Sequence, residues 1–470
     1  MNYDLGYSVA ALANWLSGHN PGWCSTAIAV FVIHILPFLA VVLPIAGLAT
    51  LAERKIAAAM QRRVGPNHVR ADGLVALMVG LACFWFDARR QAALVTRILH
   101  LPGLGWILEK SRRLGLIQLA ADGVKSIAKE DIIPTQADAP VFRAAPYLAL
   151  AGSLLAFVVL PVSQHWCMAD LSVGAVYVEG VTGLVVVGLL MAGWGSNNKW
   201  SLFGGMRAVA IIVSYEIPLT IAIGAVALWS GTLSLTQMVV AQFHPGTFSL
   251  LGWNIFQSPF LLALAVIWVI ASLAECNRTP FDLAEADSEL VAGFNTEYSG
   301  MRWVLFALTE YIDMFLAGAL FAVLFLGGYQ SPIGEAWILA LPAPLETALH
   351  AGILLAKISG MILFMIWLRW TLPRFRLDQA MILAWTRLVP IALVCLLALA
   401  VSALLAGRGA EAMAYGRFTT ASGIASSGQS QLFSWLVGGG LLAALVFWSR
   451  YRSPGLPPEL IRLTTARKKS

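Results

Sequence analysis

The residues of this sequence best suited to chemistry are acids set inside apolar stretches. Glu179, Glu216, Glu310 and Asp313, with the base Lys357, each fall in a run otherwise fit for a bilayer. An ionised side chain at mid-membrane costs roughly 2.5–3.5 kcal/mol on insertion scales, so such groups are functional candidates by default. Glu216 sits in VSYEIPLT, where Pro218 loosens the backbone hydrogen bonding of its helix. Glu310 and Asp313 stand at i, i+3 on one helix face, where two like charges repel and favour a retained proton. Glu179 has Gly180 and Gly183 beside it, which allow close packing of a neighbouring helix. A desolvated lysine can switch charge, which makes Lys357 a further candidate. The chemistry that these types share is proton movement. The plainer alternative is that each is an interfacial anchor or half of a structural hydrogen bond. His34 reads as a packed, hydrogen-bonded histidine rather than a ligand.

The segment 275–302, ECNRTPFDLAEADSELVAGFNTEYSGMR, carries six acids against two bases. Asp282, Glu285 and Glu289 follow i, i+3, i+7 and would form one acidic stripe on a helix. Phe281, Leu283, Leu290, Val291, Phe294 and Tyr298 interleave with them and call for burial. The segment 53–143 holds 14 bases and 8 acids and is expected to pair with the acidic one. A partly buried acidic funnel facing a basic loop suits proton uptake or the docking of a partner subunit. The basic segment opens with ERKIAAAMQRRVGPNHVR, in which Gly65-Pro66-Asn67 is a turn. Residues 114–134 then place Leu116, Ile117, Leu119, Ala120, Val124 and Ile127 at helical spacing opposite Asp122, Lys125, Lys129 and Glu130. That pattern predicts an amphipathic interfacial helix, a plain surface helix or a side wall for a lipid-like substrate entering from the bilayer.

These candidates must be positioned by membrane helices. Hydrophobic residues make up 59 % of the 470 and charged residues 12 %, too few charges to cover a soluble surface. Mean hydropathy is +0.76. The fold class is all-α, a polytopic membrane bundle with nine expected spans near 26–50, 144–163, 173–194, 207–229, 259–274, 303–327, 350–370, 387–406 and 433–449. The first reads as a retained helix, because no basic leader precedes it. Of the 31 Lys and Arg, 28 fall in alternate connections and the C-terminal tail, and only Arg408 and Arg417 on the other side. The positive-inside rule then puts the N-terminus outside and the C-terminus in the cytoplasm. Five cysteines with no CxxC spacing argue against an iron–sulfur cluster, a zinc site or a disulfide framework. Few histidines lie at spans, and no phosphate-cradling glycine motif occurs, so no metal, haem, flavin or nucleotide is expected to be bound. The net charge of +6 follows from loop placement and is not a nucleic-acid signal.

Several of these stretches carry a resemblance. ERKIAAAMQRRVGPN, GLIQLAADGVKSIAKEDIIP and NRTPFDLAEADSELVAGFNTEYSGMR are similar to the signature segments of the H-subunit family of bacterial NADH-quinone oxidoreductase, respiratory complex I. AGWGSNNKWSLFGGMRA, SYEIP and LRWTLPRFRLDQAM also fit, and the match runs in order from about residue 26 to 405. The resemblance implies a subunit of a proton-translocating enzyme, in the bacterial inner membrane, at the joint with the peripheral arm. It carries no redox centre itself and forms much of a chamber for quinone, ubiquinone or menaquinone. Implied partners are the quinone-site subunits of the peripheral arm, small membrane subunits and lipid. Carried over by motif, Glu216, Asp282, Glu285, Glu289, Glu297 and Glu310 would form a proton relay, and Glu53, Arg54 and Arg278 would line the chamber. A homologous subunit of a membrane-bound hydrogenase remains an alternative, as does a stand-alone ion transporter, although no inverted repeat is evident.

The sequence departs from the family in a few places. About forty residues, roughly 74–113, are inserted after the GPN turn. Ala284 stands where the family usually has Pro, and Asn295 where it has His. A family glutamate falls at Gly183, while Glu179 lies one turn away, so Glu179 is expected to substitute for it. The expected organisation is an external N-terminus (1–25), a membrane domain (26–406), an external linker (407–432), an extra helix (433–449) beyond the family's usual eight, and a basic cytoplasmic tail (450–470).

Overall fold

A backbone in hydrocarbon must satisfy its own hydrogen bonds, and helices do so within one segment. The computed structural model describes residues 36–66 and 115–405, apart from 165, 244–248 and 285–286, and these contain helices and no strand. The expectations for 1–25, the insertion 74–113, the linker 407–432, the helix 433–449, the tail, His34 and Glu285 lie outside the described residues.

In chain order the main helices are α1 (Leu36–Met60), α2 (Leu116–Ala128), α3 (Ala139–Leu155), α4 (Gly174–Gly195), α5 (Lys199–Ser230), α6 (Leu235–Ala241), α7 (Pro259–Glu275), α8 (Gly300–Phe325), α9 (Ala343–Thr371), α10 (Leu377–Leu383) and α11 (Val389–Leu405). Six stretches among the described residues are long and apolar enough to cross a membrane: Ala139–Val159, α4, α5, α8, α9 and Leu377–Ala403. α7 is apolar but shorter, and α1 is 25 residues long with Glu53, Arg54 and Lys55 in its second half. The expected spans from 26–50 to 387–406 each fall on one of these elements. The chain is an integral membrane protein.

Some boundaries differ from the expectation. The helix expected at 207–229 begins at Lys199, because the Asn198 side chain accepts from Trp200 N–H and caps it there. The last described span is continuous from Leu377 through a π turn at Ala384–Leu388. The amphipathic segment is helical only to Ala128, with Ile117 buried beneath it, and 129–133 runs on as an extended strap. Residues 281–284 are not helical and Asp287–Leu290 is a short helix, so Asp282 and Glu289 do not share one helix. Phe281, Leu283, Leu290, Phe294 and Tyr298 are buried as expected, but Val291 is exposed at φ 66°. Burying the aromatic residues bends this segment into turns, which a regular helix with one apolar face could not do.

α5 is the central post, packed on α4, α7 and α11, while α8 packs on α9, α3 and α1. Small residues set the closest approaches, as in other membrane bundles. At Gly188 of α4 an added Cβ would meet Ala149 N at 2.8 Å, which lets α3 and α4 touch backbone to backbone. At Gly204 of α5 an added Cβ would stand 2.5 Å from Gly293 Cα, and Ser201 Oγ lies 3.2 Å from the carbonyl oxygens of both Gly293 and Phe294. The acidic segment is thereby held on α5. Gly204→Val should destabilise the assembled protein by at least the ~1–3 kcal/mol typical of overpacking, read as a lower thermal unfolding midpoint. Gly224→Ala in the same helix, where a Cβ meets nothing within 4 Å, should leave the midpoint unchanged.

Candidate functional site

The buried charges converge in two adjoining sets. The first lies where α1, α8 and α9 meet the turn after α7. Glu53 is 7 % exposed and Arg278 4 %. Glu53 Oε2 accepts from Tyr311 Oη at 2.8 Å and from Arg278 Nη1 at 3.3 Å, and Oε1 pairs with Arg369 Nη1 at 2.6 Å. Arg278 Nη2 lies 3.3 Å from Glu310 Oε2, and its guanidinium sits 4.2 Å over the Tyr311 ring. Two cations thus offset two carboxylates. Burial alone would lower the Arg278 pKa, but the fields of Glu310, Tyr311 and Glu53 turn the shift upward, so this guanidinium stays charged. Its Nε is buried without a hydrogen-bond partner, and Nη2 faces Glu310 as an ion pair without hydrogen-bond geometry. Glu53 and Arg54 also line a cavity of about 660 Å³ together with Ala57, Arg63, Gly65 and Trp370, a size that suits a small-molecule ligand.

The second set lies deeper. Glu179 of α4, Glu275 of α7 and Asp313 of α8 line one internal cavity with about 20 Å³ open to water, room for on the order of one molecule. Thr220 Oγ1 donates to Glu179 Oε2 at 2.8 Å, and Glu216 acts electrostatically on both Glu179 and Glu275. Glu310 and Asp313 are one helical turn apart, so α8 joins the two sets. The i, i+3 pair therefore does not meet only itself. Glu310 turns to Arg278, and Asp313 to the second cavity.

The acidic segment behaves differently from the expectation. Asp282 pairs with Arg374 at 2.7 Å, Glu289 with Arg207 at 2.5 Å, and Glu297 accepts from Asn198 Nδ2 at 2.6 Å. None of the three lines either cavity. The basic segment meets the acidic one through the Arg278–Glu53 pair, through Arg302–Asp131 at 2.9 Å and through Ser299 Oγ, which donates to Glu130 O. Arg54 instead pairs with Asp122 of α2. Lys357 lies apart from both sets, with its Nζ donating to the carbonyls of Leu326, Gly328 and Gln330.

Four residues join the site that the relay and chamber assignments did not include. Asp313 had been singled out only as a buried acid. Glu275 closes the apolar run IASLAE, and its place in the last turn of α7 was the available signal. Tyr311 and Arg369 reach Glu53 only through packing and carry no local signal.

A family model described as NADH dehydrogenase matches residues 33–86 and 108–400. A protein of Chlorobaculum tepidum, named as the H subunit of NADH-quinone oxidoreductase, is 39 % identical over 391 residues, 82 % of this chain and 96 % of its own length. The chain belongs to this family. Its relatives of the same name include one of Anaeromyxobacter dehalogenans, 43 % identical over 67 % of this chain and 76 % of the relative. Another, of Geobacillus kaustophilus, is 38 % identical over 82 % of this chain and 96 % of the relative. The family match is interrupted at 87–107, within the stretch read as an insertion.

Removing Arg278 should leave two carboxylates, Glu53 and Glu310, short of a shared cation. Arg278→Met is expected to cost about 3–5 kcal/mol, as for other broken buried pairs, seen as a lowered unfolding midpoint of the assembled complex. Adding Glu310→Gln should recover part of that loss, which a double-mutant cycle measures directly.

Proposed function

We propose that this membrane subunit of NADH-quinone oxidoreductase forms part of the quinone chamber at Glu53 and Arg54, and links quinone reduction to proton movement through its buried acids. The observation that carries this reading is Arg278. It bridges cavity-lining Glu53 to Glu310, one turn from the acid-lined second cavity. Reduction of a quinone to a quinol takes two electrons, supplied by redox centres of partner subunits, and two protons. Charge growing on the quinone oxygens beside Glu53 and Arg54 competes with Glu53 and Glu310 for Arg278 and Arg369. Glu310 then loses the cation that holds it ionised and takes up a proton from the set of Asp313, Glu275, Glu179 and Glu216. A change at the quinone is so carried into the bilayer by an ion pair rather than by a moving helix.

Asp282, Glu289 and Glu297 act in this reading as the tethered rim of the chamber, with Glu285 between them in sequence. The membrane domain 26–406 docks the peripheral-arm subunits at the Glu53 end, which faces the cytoplasm of a bacterial inner membrane. Arg54, Lys55, Arg62, Arg63, Arg374 and Arg376 flank that end in sequence and support this orientation. Relatives named for a quinone enzyme favour this reading over the hydrogenase-type and lone-transporter alternatives.

Glu275→Gln should lower NADH:quinone turnover and proton release at least ~10-fold, while NADH oxidation by a water-soluble acceptor is unchanged. Full turnover and pumping in Glu275→Gln would overturn the relay. Glu179→Gln should be similarly impaired. Moving the acid by one turn, Glu179→Gly with Gly183→Glu, should restore activity, since a Cβ at Gly183 meets nothing within 4 Å.

A further inference from the structure

The larger cavity has one wall that its charges do not explain. Among the described residues that line it, Trp370 alone is aromatic. The others include ions at Glu53, Arg54 and Arg63 and small groups at Ala57, Ala58 and Gly65. Those small groups come from α1 and the turn after it, and they leave room beside the indole for a flat molecule.

Trp370 is held in place by its neighbours. It stands in the last turn of α9, where Leu372 N–H bonds back to the Leu368 carbonyl and closes the helix. Arg369, next to it in the chain, pairs with Glu53 Oε1 at 2.6 Å, and α9 packs directly on α1. The end of α9 is thereby fixed on the helix that supplies most of the lining. An indole has only two side-chain torsions, so it loses little entropy when a ligand settles on it. Yet Trp370 is 41 % exposed. A bulky side chain left half-open at a fixed helix end is either an interfacial anchor or a wall for a planar ligand. Trp367, one turn earlier and 50 % exposed, does not line the cavity and fits the first description. Trp370 differs because it borders the same space as Arg54 and Arg63.

The cavity therefore offers two things together, N–H donors from the arginines and the face of an electron-rich ring. A planar ring bearing carbonyl oxygens uses both. Two carbonyls draw density out of a quinone ring, so it is electron-poor and stacks well on an indole in an offset arrangement. The quinol formed from it carries two hydroxyls, is electron-rich, and gains less from the same contact. We propose that the Trp370 indole is the surface on which the quinone ring stacks, and that it favours the oxidised ring over the quinol. This rests on the quinone reading above and adds to it the residue that tells substrate from product.

The test compares Trp370→Leu with Trp367→Leu in the assembled complex, using a benzoquinone with a decyl tail and the corresponding quinol. Trp370→Leu should raise KM for the quinone about 2–10-fold, the range for losing one aromatic pair, and raise the inhibition constant of the quinol by a smaller factor. Trp367→Leu should leave both constants at their wild-type values. Should Trp370→Leu fail to assemble, Trp370→Phe serves, with a smaller rise in the same order. An unchanged KM, or equal rises in the two constants, overturns the proposal. A photoreactive quinone tests the chamber separately and should label residues 53–65. Labelling there with an unchanged KM overturns the role of Trp370 and leaves the chamber standing. No labelling there overturns the chamber and the role of Trp370 with it.

Discussion

One buried guanidinium holds this molecule's chemistry together. Arg278 is nearly sealed from solvent, and it touches a carboxylate from α1 and another from α8 while resting on the Tyr311 ring. Burying an ion is costly unless its partners are well placed. The turn after α7, the second half of α1 and the first half of α8 are therefore bound to one geometry. The same constraint puts the larger cavity next to Glu53 and lets α8 carry the next acid, Asp313, to the smaller one.

The surrounding helices act as an insulating frame. α5 runs 32 residues through the centre and carries Glu216, while Glu179, Glu275 and Asp313 come from α4, α7 and α8. Small residues bring α3, α4 and α5 close enough that Glu179 and Thr220 meet. In low dielectric, each such pair acts more strongly than it would in water. The rim acids differ: Glu289 and Glu297 are tied to Arg207 and Asn198 at the start of α5, so they brace the acidic segment on the helix that supports the core.

α9 carries a charge near each end, and the stretch between is apolar. Arg369 belongs to the Glu53 set, while His350 and Lys357 belong to the turns at the far end. Membrane proteins keep ionisable groups where they are paired. At the Glu53 end Arg278 and Arg369 offset Glu53 and Glu310.

Much of this was legible in the chain. The apolar runs, the alternating basic connections and the lone acids within them followed from transfer energies that depend on residue type alone, so the helical class and Glu179, Glu216, Glu310 and Asp313 could be read directly. The motifs ERK, TPFD and TEYS carried the family. What could not be read was partnership. Asp282, Glu285 and Glu289 have helical spacing, yet the segment turns with the flanking Phe281, Phe294 and Tyr298 buried, and Gly293 meets Gly204 of α5, far away in sequence. Glu275 is the end of an apolar run by sequence and a wall of the acid-lined cavity by packing. Lys357 reads as a lone charge in an apolar run, and only the packing shows that its Nζ donates to three carbonyls after α8. Side-chain type and local period are properties of the chain, but the partner of a buried charge is decided by which helices meet, and only the tertiary structure specifies that.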